Sequence, residues 1–352
     1  MQTVASRGIK RTPETGVAPP AVRCRLEPPR VEALRERMRL LNGPVLGELL
    51  GGGTSSCVFA LPDRPAMVAK VMLESMPGGA FAGVEQNERA IGRLLGRHSR
   101  LVVAEKLSWY GPYAVLLTVR CETTLEHVIR SHVDSAQQWM PLPVQRRHQY
   151  MRHLLDALAF CHVRHVTHRD VKPDNLLIDE HGNLRLSDFG LSRVLTADEA
   201  RAGGNHLSDY YVVTLHYRAL EVLFANQGAV GFTYGFAADV WSAGCVYAEM
   251  VQSHALFSGE TSIDMVRRIC AELGAPDAEA WPHGYNTVGY LLGKHPQRPA
   301  EPLSRLGEVL LANELSLLLR LLTLEPTRRI NASEALLALV RMPLPTKSAL
   351  KQ

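Results

Sequence analysis

Within residues 168–190 the chain reads His168-Arg169-Asp170-Val171-Lys172-Pro173-Asp174-Asn175 and then Ser187-Asp188-Phe189-Gly190. No other stretch constrains the fold as much, because its chemically useful side chains stand at two separate places and are useful only if they converge. Asn175 and Asp188 offer oxygen donors, the kind that a hard divalent cation prefers. Asp170 offers an acceptor for a hydroxyl proton, and Lys172 offers a cation beside it. Such a set suits displacement at a phosphoryl group, where a protein contributes mostly positioning and charge stabilisation.

Two upstream segments extend the pattern. Leu50-Gly51-Gly52-Gly53-Thr54-Ser55-Ser56-Cys57-Val58 is a glycine-rich loop whose backbone N–H groups can approach phosphates with no Cβ in the way. Val68-Ala69-Lys70 follows with strand character. A buried lysine needs a paired charge. Glu88 is the leading partner, in a segment of helical spacing, and Glu85 one turn earlier is the runner-up.

The order glycine-rich loop, lysine, glutamate, H-R-D-x-K-x-x-N and D-F-G resembles the catalytic core of the eukaryotic protein kinases, with the lysine after Asp170 resembling the serine/threonine group. The likeness spans about residues 45 to 340. It departs from the pattern at Ser56, which stands where the loop's third glycine is usual. It implies an α+β, bilobal fold with a small β-rich lobe and a large helical lobe, and phosphate transfer from ATP with Mg²⁺ to Ser or Thr of protein substrates. It implies that Lys70 contacts the phosphates and pairs with Glu88, that Asp170 orients the substrate hydroxyl, and that Lys172 stabilises the transferring group. Asn175 and Asp188 become the Mg²⁺ ligands, and His168 becomes a packing residue. Counting back from Leu125 puts Leu117 at the gatekeeper position and Thr118–Arg120, with Val119 at its centre, at the adenine-binding hinge.

Val213-Thr214-Leu215-His216-Tyr217-Arg218-Ala219-Leu220-Glu221 is similar to the T-x-x-Y-R-A-P-E of the CMGC kinases (cyclin-dependent, MAP, glycogen-synthase and CDC-like), with Leu220 replacing the proline. Thr214 and Arg218 are then specificity residues favouring proline after the phosphoacceptor, Glu221 pairs with Arg329, and Asp239 in Asp239-Val240-Trp241-Ser242 holds the catalytic-loop backbone. Asp209 falls where relatives carry a phosphorylatable threonine and Tyr211 where they carry a tyrosine. Asp209 is read either as a constitutive partner of Arg169 or as a solvated acid. The helix around Glu88 lacks the PSTAIRE-type cyclin-binding sequence. The partners expected are protein substrates, with a regulatory partner or upstream kinase left open. The alternatives are a scaffold that binds without turnover, and a dual-specificity enzyme that phosphorylates its own Tyr211.

Composition sets bounds on this reading. The 352 residues suit two compact lobes, and 46% hydrophobic content provides a core. A net charge of +4 gives no case for a nucleic-acid surface. No run of about 18 apolar residues is present, so no membrane partner is expected. The N-terminus lacks the apolar core of a secretory signal, which with the family resemblance points to cytoplasm or nucleus. The six cysteines are scattered without C-x-x-C spacing, which excludes zinc-ribbon and redox motifs. Cys57 at the nucleotide loop is read as a packing residue, with a reactive thiol as the alternative.

Residues 1–42 read as an N-terminal extension with a helix over Val31–Leu41, 43–340 as the catalytic unit (small lobe about 43–117, large lobe about 124–340) and 341–352 as a tail. Strands are expected at Cys57–Leu61, Met67–Met72 and Ala114–Val119. Helices are expected at Gln86–Leu95, Gln149–His162, Trp241–Met250, Val309–Leu324 and Ser333–Val340, with a loop over Asp134–Val144.

Overall fold

In the computed structural model the described residues are 28–52, 56–73, 83–134, 136–201, 204–206, 214–226, 232–297, 299 and 303–343. The expectations for Gly53, Thr54, Ser55, Asp209, Tyr211 and both chain ends lie outside them.

Alternation of apolar residues over Met67–Met72 produces the strand on which the small lobe is organised. Met67, Ala69 and Val71 face one side, and Val68, Lys70 and Met72 face the other. Five antiparallel strands assemble around it: β1 (Leu49–Gly52), β2 (Ser56–Ala60), β3 (Met67–Met72), β4 (Lys106–Tyr110) and β5 (Tyr113–Val119), in the order β1-β2-β3-β5-β4. The sequence pattern signalled β2, β3 and β5 but not β1 and β4, which are glycine-rich and half-exposed respectively.

Each face of this sheet is covered by a helix. Helix α1 (Pro28–Leu40) buries Val31, Leu34 and Met38 against Phe59, Ala69, Val71, Tyr113 and Val115 on the outer face. Three such side chains leaving water contribute roughly 1.5–3 kcal/mol each. The arginines of α1 are more than a solvated face. Arg35 donates to the Gly47 carbonyl at 2.5 Å, and Arg37 donates to the Tyr113 hydroxyl at 2.7 Å. On the inner face lies α2 (Val84–Leu95), which brings Glu88 beneath β3.

The large lobe is helical. Its helices are α3 (Leu125–Ser131), α4 (Val144–Val163), α5 (Ala197–Arg201), α6 (Leu220–Asn226), α7 (Phe236–Gln252), α8 (Ser262–Leu273), α9 (Pro282–Leu292), α10 (Ser304–Gly307), α11 (Ala312–Leu321) and α12 (Ala332–Val340). The single helix expected over Val309–Leu324 is therefore shorter, and the Asp134–Val144 loop carries a bridge between Val133 and Trp139. The centre of the lobe is α7, buried on almost every side because its residues are small or apolar throughout. Short strands line the cleft side: β6 (Thr123–Thr124), β7 (Val166–Thr167), β8 (Leu176–Ile178) and β9 (Leu184–Leu186), with β6-β8-β9 forming one sheet. The hairpin between β8 and β9 carries the two motif segments into the cleft from adjacent strand ends. Among the described residues no helix is long and apolar enough to cross a membrane.

Candidate active site

The β8–β9 pairing is what joins the two motif segments. The Asn175 carbonyl accepts from both the N–H and the hydroxyl of Ser187, each at 2.9 Å, so Asn175 sits beside the turn that presents Asp188. The turn itself is unusual, since Asp188 has φ 64° and ψ 71°, in the left-handed region. Arg169, at φ 73°, is a second non-glycine residue in that region. Each such conformation costs of order 1–3 kcal/mol and persists only where the surroundings dictate it. For Arg169 the cause is Asp239, on the first turn of α7 and fully buried. Its carboxylate accepts from the backbone N–H groups of His168 (2.8 Å) and Arg169 (2.9 Å), from the Thr167 hydroxyl (2.9 Å), and lies 3.0 Å from His162 Nε2. Burial opposes that charge, but His162 and these donors outweigh it and hold the carboxyl below its ordinary range. His168 is fully buried with Nε2 2.9 Å from the Ser187 carbonyl and its ring edge-on to Phe189, the packing role expected of it.

Lys70 reaches across from β3. Its Nζ lies 2.8 Å from Glu88 Oε2 and 2.7 Å from Asp188 Oδ1, so one ammonium bridges α2 and the Asp-Phe-Gly turn. Burial disfavours the lysine charge, but Asp188 and Glu88 outweigh it and raise its pKa above the ordinary value. Glu88 is almost fully buried, and that burial pushes its carboxyl upward against the pull of Lys70. In Asp188 burial also acts upward but is outweighed by Lys70, His168 and Lys172, and the carboxyl is held low. Removal of Lys70 would leave two carboxylates facing each other. Glu85, the runner-up, is buried as well but does not pair with Lys70.

Asp170 is the best-supplied acceptor in the cleft. Lys172 Nζ lies 2.7 Å from Oδ2, Asn175 Nδ2 donates to Oδ2 and to the Asp170 carbonyl at 2.8 Å each, and the Thr214 hydroxyl donates to Oδ1 at 3.1 Å. Lys172 also donates to Thr214 at 2.9 Å. Thr214, expected only as a specificity residue, is thus a strut between the catalytic loop and the following segment. Arg218 is partly buried, and that burial lowers its pKa against the opposing pull of Tyr234 and Asp170. The Arg169 guanidinium lies over the Tyr234 ring at 5.6 Å.

Two expectations for the nucleotide side are corrected. The register pairs Val58 with Lys70 and Lys70 with Leu116, so these three share the cleft face, and Thr118 shares it two residues on. Leu117 points the other way and packs against the outer cluster, near Pro44 and Tyr110. Leu117, expected as the gatekeeper, therefore turns away from the cleft, and the buried Thr118 is the neighbouring side chain that faces it. Val119 ends β5 opposite Met67, so it meets the cleft through its backbone. Cys57 is likewise turned outward and fully buried, which removes its thiol from the cleft and from easy reaction. Leu50, Gly51 and Gly52 form β1 with an irregularity in the pairing between Leu49 and Gly51, and Ser56 opens β2 opposite Met72.

The donor set fits a hard divalent cation. With Nδ2 of Asn175 committed to Asp170, its side-chain oxygen is the atom left for a ligand. Among the described residues no cluster of three or more His, Cys, Asp or Glu could hold a metal alone.

A two-lobed fold with a lysine–glutamate pair on one wall and an aspartate–lysine–asparagine cluster on the other defines an ATP-dependent phosphotransferase. The chain belongs to the protein kinase family, as the protein kinase domain model matches residues 45–338. The family acts on protein substrates and uses ATP with a divalent metal. The bridge expected between Glu221 and Arg329 is present, with Nη1 2.7 Å from Oε1 and both side chains buried.

Proposed function

We propose that the chain is an active serine/threonine kinase of the CMGC type that uses Mg-ATP and favours a proline directly after the phosphoacceptor. The observation that carries this reading is the Asp170–Lys172–Thr214 cluster, assembled with Lys70, Glu88 and Asp188 already paired. Such preorganisation removes the cost of assembling the site at the moment of reaction. Asp170 would accept and orient the Ser or Thr hydroxyl, within reach of Lys172, whose charge offsets that building on the transferring phosphoryl group. Lys70 would hold the α- and β-phosphates, while the glycine-rich loop covers them and Thr118 borders the adenine. Mg²⁺ on Asn175 and Asp188 would neutralise the phosphates and fix their geometry. Asp209 would stand in for a phosphate near Arg169, so that transfer needs no upstream threonine phosphorylation. A carboxylate supplies one charge where a phosphate supplies about −1.5 to −2.

The serine/threonine and CMGC assignments rest on the lysine at position 172 and on the sequence Thr214 to Glu221, which includes Arg218. The test is a degenerate peptide array phosphorylated by the full chain. The expected outcome is a preference of at least about ten-fold for Ser/Thr-Pro over Ser/Thr-Ala, equivalent to about 1.4 kcal/mol, that is lost in Arg218→Ala. Equal transfer to both peptide sets would overturn the proline-directed reading.

A further inference from the structure

One contact between the two lobes has no counterpart in the roles above. Asn87, the residue before Glu88, donates both hydrogens of its side-chain amide across the gap below α2. Nδ2 lies 2.8 Å from the Gly190 carbonyl and 2.8 Å from the Ser192 carbonyl. An amide NH₂ has two donors and no more, so the group is fully used on the backbone just after Asp188.

The surrounding packing says what this contact controls. A Cβ built on Gly190 would stand 2.4 Å from Val84 Cγ1, so the turn presses on the first turn of α2 as closely as a glycine allows. That first turn has no side-chain cap of its own, because its N-cap is Gly83. The far side of α2 is fixed by Arg89, which donates to the Ala104 carbonyl at 3.0 Å. Sterics thus set how near α2 and the turn approach, and the Asn87 amide is the directional bond that sets their register. The Ser192 N–H in turn bonds the Phe189 carbonyl at 3.1 Å, which closes the segment into a tight unit.

We propose that Asn87 is a positioning residue, a clasp that holds the left-handed Asp188 turn against α2 so that the Lys70–Glu88 pair and the metal-binding carboxylate are set together. It touches neither nucleotide nor metal and acts through Asp188. The inference rests on the kinase reading of Asp188 as a metal ligand. Its structural half, the clasp itself, does not.

The variants are Asn87→Asp, which keeps the shape but aims acceptors at two carbonyl oxygens, and Asn87→Ala, which removes the group should the first fail to fold. Asn87→Gln retains the donors on a longer arm. Hydrogen exchange is followed on the metal-free full chain, and binding of a fluorescent ATP analogue is titrated with Mg²⁺. Each lost bond is worth roughly a few-fold to ten-fold in an equilibrium, so together they give about ten- to a hundred-fold. The expected result is exchange over residues 188–192 faster by about that factor in the Asp and Ala variants. The Mg²⁺ concentration for half-maximal nucleotide binding rises at least about ten-fold in step, with partial recovery in Asn87→Gln. Unchanged exchange and Mg²⁺ dependence, or faster exchange spread evenly over the whole small lobe, would overturn the proposal. If the unsubstituted protein binds Mg-ATP but transfers no phosphate, the kinase reading fails while the exchange data still decide the clasp.

Discussion

Glu249 shows how a single side chain can set the behaviour of this lobe. It is buried at the C-terminal half of α7 and accepts the Tyr217 hydroxyl at 2.8 Å. Burial, with the nearby Glu126 and Asp174, pushes its carboxyl up to about 7. A carboxyl raised on folding binds more protons in the native state, so its contribution is present below the ordinary value of 4.5 and lost as pH rises through about 7. Replacing it by Gln keeps an acceptor for Tyr217 and removes the titration. Urea unfolding across this range should then show Glu249→Gln gaining about 2–3 kcal/mol relative to the unsubstituted protein between pH 4.5 and 8. A constant difference at all pH values would contradict the assignment. Single residues were also where the sequence was most and least legible. Lys70, Glu88, Asp170, Asn175 and Asp188 could be read because their chemistry and order leave few alternatives. Leu117 was misplaced because a count along a strand carries no facing information, and a slip of one residue turns a side chain to the opposite side of the sheet. Asn87 and the strut role of Thr214 carried no signal, since both depend on which backbone lies opposite.

At the level of elements, the last turns of the large lobe hang on one guanidinium. Arg329 pairs with Glu221 at the start of α6 and also donates to the Thr323, Leu324 and Ala237 carbonyls. Truncation would strand a buried carboxylate and take a donor from three carbonyls at once. Arg329→Ala should lower stability by about 3–5 kcal/mol, measured by urea denaturation. The double change with Glu221→Ala should recover only part, because the carbonyls stay unpaired. Full recovery would show that the ion pair alone matters. Helices with strong amphipathic or wholly apolar patterns, α4, α7 and α12, were legible within a few residues. The weakly patterned β1 and β4 were not, because their pairing partners rather than their own side chains make them strands. Helix α1 was visible as a helix, but its seat on the outer face of the sheet was set by Arg35, Arg37 and Met38 meeting groups far along the chain.

Across the whole molecule, the two walls of the cleft are joined by charge. Lys70 on the small lobe meets Glu88 and Asp188, and Asp188 is tied through Ser187 and Asn175 to Asp170 in the large lobe. The bilobal α+β architecture was legible because the motifs fall in a fixed order along the chain, and that order is what the fold needs to bring them to one place. The segment around Asp209 and Tyr211 stands outside the described residues, so its part in regulation rests on the sequence. The assembled cleft is proposed to transfer phosphate. The most direct measurement is transfer of the labelled γ-phosphate of Mg-ATP to a Ser/Thr-Pro peptide by the purified full chain, alongside Asp170→Asn with its nucleotide affinity checked by direct binding. The expected result is transfer by the unsubstituted protein and a loss of at least about a hundred-fold in Asp170→Asn with ATP binding retained. Equal rates in the two, or no transfer by either despite ATP binding, would contradict it.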